Sequence, residues 1–222
     1  MELTELEKAI GYVFKDKDLL KLALTHSSYS NELKINKYGN YERLEFLGDA
    51  VLELMSSQFF YINYPDMNEG QLTRLRSSMV CEQALAYCAR EFNLQDYIYL
   101  GKGEESTGGR NRDSIISDVF EAVLGAMYLD GGYEIANKFV ITHVLTDLED
   151  KQLFYDAKTI LQERVQKEGK SLSYDLVNET GPDHDKEFTV NALIDGEVKG
   201  MGIGKSKKQA EQKAAYQVLT GK

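Results

Sequence analysis

Proline and tryptophan are scarce in this chain of 222 residues, which contains only 2 prolines and no tryptophan. Few prolines favour long helices, because proline interrupts the interior of a helix. No stretch approaches the roughly 18 apolar residues that a membrane-spanning helix needs, so we expect no membrane partner. The N-terminus is acidic and amphipathic, unlike a secretory signal or a transit peptide, and we therefore predict a cytoplasmic protein.

Side chains that bind soft metals are equally few. Cys81 and Cys88 lie seven residues apart in a helical pattern, which predicts two reduced thiols on one face of one helix. The 3 histidines, His26, His143 and His184, are far apart and show no ligand spacing. A zinc site is therefore not indicated, and a metal site in this chain would have to be built from carboxylates.

Acidic residues are concentrated in the first two thirds of the chain, whose overall net charge is −10. Residues 151–222 contain 12 basic and 11 acidic residues, a balance of +1, which leaves a balance of −11 for residues 1–150. Such an excess of acid either serves solubility alone, which is the usual explanation, or concentrates carboxylates that bind metal.

The hydrophobic pattern predicts a multidomain chain, with an all-α domain over residues 1–150 and a small α+β domain over residues 156–222. The boundary is placed near Asp150–Asp156. Asn68 and Gln71 are spaced as a capping box that opens a helix. The predicted helices of the first domain are Glu2–Phe14, Lys17–Tyr29, Tyr41–Tyr64, Asn68–Phe92, Asp113–Leu129 and Glu134–Leu148, and Gly101–Asn111 is predicted to be a glycine-rich loop.

The second domain is predicted to have the order α-β-β-β-α. Asp195-Gly196 is a strong signal for a tight hairpin turn between two strands. The predicted elements are a helix at Ala157–Lys167, strands at Leu172–Glu179, Glu187–Ile194 and Val198–Ile203, and a closing helix at Lys205–Leu219.

Two predicted helices each carry an acidic face. Glu42, Glu45 and Asp49 fall within roughly 60° of one another at helical spacing. Asp118 and Glu121 are one turn apart on the second helix, where Ala122 and Gly125 add little bulk. Leu44, Leu47, Val51 and Leu54 fall opposite the first acidic face and are predicted to be core.

The spacing of these acids leaves two interpretations about equally supported. One is a pair of solvated helix faces, and the other is a shared carboxylate cluster formed where the two helices pack together. Carboxylates without histidine or cysteine suit the hard cations Mg²⁺ or Mn²⁺.

The run ERLEFLGDAVL at Glu42–Leu52 resembles the signature of the ribonuclease III family. The resemblance continues in family order through NEGQLTRLRSSMV at Asn68–Val80, the glycine-rich loop, and DSIISDVFEAVLGAMYLDGGY at Asp113–Tyr133. It implies a Mg²⁺-dependent endonuclease for double-stranded RNA, with Mn²⁺ substituting and with no nucleotide cofactor. It further implies a homodimer and products with 5′-phosphate and 3′-hydroxyl ends and short 3′ overhangs. The expected substrates are ribosomal RNA precursors and structured messenger RNA.

The resemblance also implies roles for individual acids. Asp49 and Glu121 correspond to catalytic residues, and Glu45, Asp49, Asp118 and Glu121 to metal ligands. Glu42 and Glu69 correspond to additional acids of the cleft. Tyr41 stands where many members have asparagine, and we expect it to touch no ligand. The alternative is a double-stranded RNA-binding protein that keeps the fold without cleavage; retention of all these acids favours the enzyme.

The tail resembles a double-stranded RNA-binding domain in three segments, at Lys158–Gln166, Gly181–Phe188 and Gly202–Ala215. Such domains read the shape of about 16 base pairs through two minor grooves and the phosphates between them. The residues that the resemblance places against RNA are Gln162 and Glu163 on the first helix, His184 in the first hairpin loop, and Lys205, Ser206, Lys207 and Lys208 at the start of the last helix.

Overall fold

A computed structural model of the chain describes residues 3–34, 39–146, 148, 156–182 and 186–221. The chain separates into two compact units, Met1–Thr146 and Asp147–Lys222. The first unit is helical and the second has the order α-β-β-β-α, so the predicted fold class is confirmed. Among the described residues, no helix is both long and apolar enough to cross a membrane.

Helix α8 (Asp113–Gly131) lies at the centre of the first unit. It packs against α2, α4, α6 and α9 and buries Ile116, Val119, Phe120, Val123 and Leu124 completely. The helices around it are α1 (Leu3–Ile10), α2 (Lys17–Ala23), α3 (Ser27–Glu32), α4 (Glu42–Asn63), α5 (Glu69–Met79), α6 (Glu82–Glu91), α7 (Lys102–Ser106) and α9 (Tyr133–His143), with 3₁₀ turns at Leu94–Tyr97 and Gly109–Asn111.

Two of the predicted helices are broken in the structure. The helix predicted over Lys17–Tyr29 divides into α2 and α3, because Thr25 pairs with Tyr99 and the ring of His26 caps α3 by accepting the backbone N–H of Ser28. The helix predicted over Asn68–Phe92 begins with the predicted capping box but divides at Val80.

The break at Val80 changes the placement of the cysteines. Cys81 has extended backbone angles (φ −75°, ψ 158°) and is the N-cap of α6, whereas Cys88 is buried inside that helix. The prediction that both lie on one face of one helix is therefore wrong. The structure has no disulfide between Cys81 and Cys88.

The glycine-rich segment is more ordered than predicted. It contains α7 and the 3₁₀ turn at Gly109–Asn111. Ion pairs join Arg110 to Glu105 and Arg112 to Glu104, and Gly109 is pressed against Glu104. Charge pairs within the segment therefore hold it in shape.

The backbones of α4 and α8 touch at two glycines. A methyl group built on Gly48 would lie 1.8 Å from the carbonyl oxygen of Glu121, and one built on Gly125 would lie 2.3 Å from that of Leu44. Only glycine fits at such distances, so these two residues set how closely the helices approach. The predicted role of Gly125, which was to leave space for carboxylates, is thus replaced by a backbone contact.

The second unit is a three-stranded antiparallel sheet of order β1-β2-β3 covered by two helices. Asp195 and Gly196 form the turn between β2 and β3 with φ of 51° and 81°, as the sequence predicts. A methyl group at Gly202 would lie 2.1 Å from the carbonyl oxygen of Ala210, so β3 packs closely on the last helix. The elements are α10 (Ala157–Lys167), β1 (Leu172–Thr180), β2 (Glu187–Ile194), β3 (Glu197–Gly204) and α11 (Lys207–Thr220).

Helix α11 begins two residues later than predicted. The side chain of Ser206 accepts the backbone N–H of Gln209 and is the N-cap, which leaves Lys205 outside the helix. Ala157, Leu161, Val165 and Ala215 form the core between α10 and α11.

Candidate active site

Tyr41 is the N-cap of helix α4, which presents its acids in its first two turns. The carbonyl of Tyr41 accepts the backbone N–H groups of Leu44 and Glu45, at 2.8 and 3.0 Å. Glu42 and Asp49 are exposed, and Glu45, between them in sequence, is partly buried. Leu44 and Val51 are buried as predicted, but Leu54 is 59% exposed, so its assignment to the core is wrong.

Helix α8 supplies two further acids opposite those of α4. Asp118 and Glu121 are partly buried although the residues beside them in the chain, such as Ser117 and Ala122, are buried in the core. The contact between Gly48 and the Glu121 carbonyl brings this turn of α8 against the turn of α4 that carries Glu45 and Asp49. The two predicted acidic faces therefore form one surface of the helical unit. We call this surface the wall, and its acids are Glu42, Glu45, Asp49, Asp118 and Glu121.

The acids of this wall act on one another electrostatically. Burial raises the pKa of Glu121 to about 8, and the charges of Asp49, Asp118 and Glu45 contribute to the increase. Burial also raises the pKa of Glu45 to about 7, with contributions from Asp118, Glu42 and Asp49. A carboxyl that is partly buried among like charges holds its proton, because ionisation would add another unpaired negative charge.

Asp118 has neighbours that favour its ionised form. Burial raises its pKa, while a hydrogen bond from Tyr41 and the nearby His26 act in the opposite direction. The hydroxyl of Tyr41 donates to Oδ2 of Asp118 at 3.3 Å. The expectation that Tyr41 touches none of the predicted ligands is therefore wrong.

Two residues of this environment were missed by the sequence argument. The position of Tyr41 directly before the signature run was a usable signal, since Glu42 is the next residue and Glu45 follows about one turn later. His26 offered none, because its three-dimensional neighbours Asp118, Glu42 and Glu104 are distant in sequence. Tertiary contacts alone place it at the site.

Glu69 lies apart from the wall, at the first turn of α5. It accepts a hydrogen bond from Thr73 at 3.2 Å and lines a groove of about 700 Å³ between α4 and α5. Leu54, Phe60, Tyr61 and Leu72 provide much of the apolar lining of this groove. Within one copy of the chain, the structure thus brings Glu42, Glu45, Asp49, Asp118 and Glu121 together, but not Glu69.

The donor set of the wall fits a hard divalent cation. All of its candidate ligands are carboxylate oxygens, and a bound cation would favour the ionised forms of Glu45 and Glu121, which burial and neighbouring charges disfavour. Among the described residues, no three potential ligands are already gathered in a coordinating arrangement. Ion binding would therefore require these carboxylates to come closer together than they lie in the structure.

The residues expected to contact RNA occupy two places in the second unit. Gln162 and Glu163 lie on α10, the first half-buried and the second exposed. Lys205, Ser206, Lys207 and Lys208 are exposed at the N-terminus of α11, and Lys205 also pairs with Glu187 at 3.3 Å. His184 lies outside the described residues.

Both units match known families. Residues 16–148 match the family described as Ribonuclease-III-like, and residues 157–221 match the double-stranded RNA binding motif. A Ribonuclease 3 from Pelotomaculum thermopropionicum is 49% identical over 222 residues, covering 98% of this chain and 92% of that protein. A Ribonuclease 3 from Caldanaerobacter subterraneus subsp. tengcongensis is 49% identical over 223 residues, covering 98% and 97%.

A solved structure resembles the first unit. It is the nuclease domain of ribonuclease III from Campylobacter jejuni, described as flexible in a region involved in dimer formation. It is 40% identical, has a TM-score of 0.61, and covers 64% of this chain and 96% of that one. The sequence likeness thus extends over both units, and the structural likeness is to a nuclease domain.

The acidic wall predicts that the chain becomes less stable as pH rises in a metal-chelating buffer. Glu45 and Glu121 have folded pKa values of about 7 and about 8, above their ordinary value of 4.5. The folded state therefore keeps protons that the unfolded state releases, and stability falls between about pH 5 and pH 8. After allowance for solvent screening, Glu121→Gln should raise the free energy of unfolding at pH 8 by about 1–2 kcal/mol.

Denaturant unfolding at pH 5 and pH 8 measures this effect. Glu134→Gln, which changes an exposed glutamate at the start of α9, is the matched control. The same pH dependence in the wild type, Glu121→Gln and Glu134→Gln chains would contradict the electrostatic account.

Proposed function

Since this chain belongs to the ribonuclease III family, we propose that it is an endoribonuclease that hydrolyses phosphodiester bonds of double-stranded RNA in a Mg²⁺-dependent reaction. The observation that carries the proposal is the carboxylate wall formed where α4 and α8 meet at Gly48 and Gly125. The products are expected to have 5′-phosphate and 3′-hydroxyl ends with short 3′ overhangs.

Four acids of the wall are proposed as metal ligands. Glu45, Asp49, Asp118 and Glu121 would hold Mg²⁺, for which Mn²⁺ substitutes, and Asp49 and Glu121 are the proposed catalytic residues. A bound divalent ion supplies an activated water and stabilises the leaving oxygen of a phosphodiester. The protein's own contribution is to hold the carboxylates on two helices, partly shielded from solvent. A cation is attracted strongly there, because burial and the neighbouring carboxylates leave the negative charges of Glu45 and Glu121 poorly stabilised.

The division of labour follows the two units. Residues 1–150 are proposed to cut and residues 156–222 to bind the duplex. The minor grooves would be contacted by Gln162, Glu163 and His184. The phosphates would be contacted by Lys205, Ser206, Lys207 and Lys208. The exposed lysines lie at the start of α11, where the helix dipole adds positive potential.

A homodimer is proposed from the exposed face of α4. Phe46, Leu54 and Tyr61 are 81%, 59% and 76% exposed, and they recur at a spacing that keeps them on one stripe of the helix. Exposed apolar stripes of this kind mark protein interfaces. The stripe lies beside the acidic face, so a partner seated on it could bring Glu69 of its own chain near the site.

The cellular setting is proposed from the family. Ribosomal RNA precursors and structured messenger RNA are the proposed substrates, and the cytoplasm is the proposed location. The retained acids Glu45, Asp49, Asp118 and Glu121 support cleavage over an RNA-binding protein without activity.

Purified chain should cut a long RNA duplex when Mg²⁺ is present. EDTA should stop cleavage, because it removes the divalent ion, and the carboxylates of the wall serve only as ligands for that ion. Changing a group that only orients a metal ligand typically costs about 10–100-fold in metal affinity or activity. Glu121→Gln changes a proposed metal ligand itself, so the cleavage rate should fall by more than this. Gel analysis of end-labelled duplexes measures the rate.

The controls for cleavage are a DNA duplex, a single RNA strand and the exposed-site variant Glu134→Gln, which should cut like the wild type. Cleavage of DNA, or cleavage that survives EDTA, would disprove the proposed activity. A Glu121→Gln chain that no longer binds duplex RNA would disprove the division of labour between the units.

Changing Lys207 and Lys208 together to Ala should weaken binding to all RNA duplexes alike. Each lysine that contacts a phosphate contributes about one to the slope of log affinity against log salt, so the slope should fall by about two. Fluorescence anisotropy at several salt concentrations measures it. The control is the double variant Lys170→Ala with Lys199→Ala, which removes the same charge near the Asp195-Gly196 turn, at the opposite end of β3. Equal salt slopes in the two double variants would show that Lys207 and Lys208 do not contact RNA phosphates.

Phe46→Ala should shift the chain from dimer towards monomer, because it removes the most exposed side chain of the stripe on α4. Light scattering should give twice the chain mass of 25.2 kDa for the wild type. Val13→Ala, another exposed apolar side chain, is the control. A wild-type chain that is monomeric at micromolar concentration would rule out the proposed dimer.

A further inference from the structure

Tyr41 is the N-cap of α4 and is hydrogen-bonded to Thr25, in the segment that precedes α3. Its side chain is only 4% exposed. Its backbone N–H donates to the carbonyl of Thr25 at 2.9 Å, and its carbonyl accepts the first hydrogen bonds of α4. Hydrogen bonds on both sides of the Tyr41 Cα therefore fix the backbone that carries the ring.

A second layer of contacts supports the ring. His26 packs against Tyr41 with 5.7 Å between ring centroids. His26 is itself tied down, since its backbone N–H donates to the carbonyl of Tyr99 at 3.1 Å and its Nδ1 accepts the N–H of Ser28 at 3.1 Å. The Tyr41 hydroxyl is thus presented at a defined point.

That point is Oδ2 of Asp118, 3.3 Å from the hydroxyl. The separation is longer than the about 2.7–2.8 Å usual between a hydroxyl and its acceptor. In the part of the chain that the structure describes, Asp118 is the one acid among Glu45, Asp49, Asp118 and Glu121 that a side-chain donor reaches.

A donor matters here because Asp118 faces other carboxylates. The charge of Asp118 acts on Glu45, so the two like charges repel each other. The hydrogen bond from Tyr41 engages Oδ2 of Asp118 and leaves Oδ1 for a cation. Groups that orient a metal ligand in this way contribute to metal affinity without touching the ion.

We propose that Tyr41 is a positioning residue that holds Asp118 in the orientation needed for divalent-metal binding. The inference rests on the proposed metal site and extends it, since it assigns a role to a residue outside the proposed ligand set. Tyr41 spans from the chain before α4 to α8, so it couples the start of one acid-bearing helix to a ligand on the other. The competing explanation is that the ring only fills space beside His26.

The test measures Mn²⁺ binding to the full chain by electron paramagnetic resonance, in the absence of RNA. Tyr41→Phe removes only the hydroxyl and should weaken Mn²⁺ binding about 10-fold. The matched control is Tyr12→Phe, because the Tyr12 hydroxyl also donates to an aspartate, Asp130 Oδ2 at 2.6 Å, elsewhere in the unit. Tyr12→Phe should bind Mn²⁺ like the wild type.

A double-mutant comparison shows whether Tyr41 acts through Asp118. In an Asp118→Ala chain the acceptor is gone, so adding Tyr41→Phe should cause no further loss of Mn²⁺ affinity. In cleavage assays, Tyr41→Phe should raise the Mg²⁺ concentration for half-maximal rate by the same factor, with the rate at saturating Mg²⁺ and duplex binding in EDTA retained.

The outcomes separate this inference from the proposed function. Equal Mn²⁺ affinity of wild type and Tyr41→Phe would overturn it, as would the same 10-fold loss in the Asp118→Ala background or a wild-type chain that binds no Mn²⁺. If the ring only fills space beside His26, Tyr41→Phe should leave both Mn²⁺ affinity and thermal stability unchanged, because phenylalanine keeps the ring. A wild type that binds Mn²⁺ but cuts no RNA would disprove the proposed function, and the Mn²⁺ comparison would still decide the role of Tyr41.

Discussion

The close contact of α4 and α8 at Gly48 and Gly125 is the constraint on which the site depends. Any side chain at either position would collide with the backbone of the other helix. Because the backbones touch, acids on both helices share one wall instead of facing solvent separately. The core contributes to the same result, since α8 is buried along its other faces and cannot move away without exposing Val119, Phe120 and Val123.

That geometry has an electrostatic cost which bears on function. Glu45 and Glu121 have raised pKa values because burial and neighbouring carboxylates disfavour their charges. Strain of this kind is common where a protein prepares a site for a ligand, since stability and activity make opposing demands on the same residues. A divalent cation would relieve the repulsion, so the proposed metal would offset the same electrostatic cost that lowers stability.

The two units of the chain divide its charge in a way that suits nucleic acid. The acidic excess lies in the helical unit, and exposed lysines begin α11 in the other. An overall charge of −10 is therefore compatible with RNA binding, because an RNA phosphate responds to local charge within about a Debye length and not to the total. The short-range fit of each unit decides what it binds.

The sequence by itself determined the features that depend on local spacing. The acidic faces of α4 and α8, the Asn68–Gln71 capping box and the Asp195-Gly196 turn all follow from residues a few positions apart. Tertiary structure alone decided the exposure of Leu54 and the contact between Tyr41 and Asp118, because each depends on residues distant in the chain. Helical periodicity reports which side chains share a face, but only packing decides what that face meets.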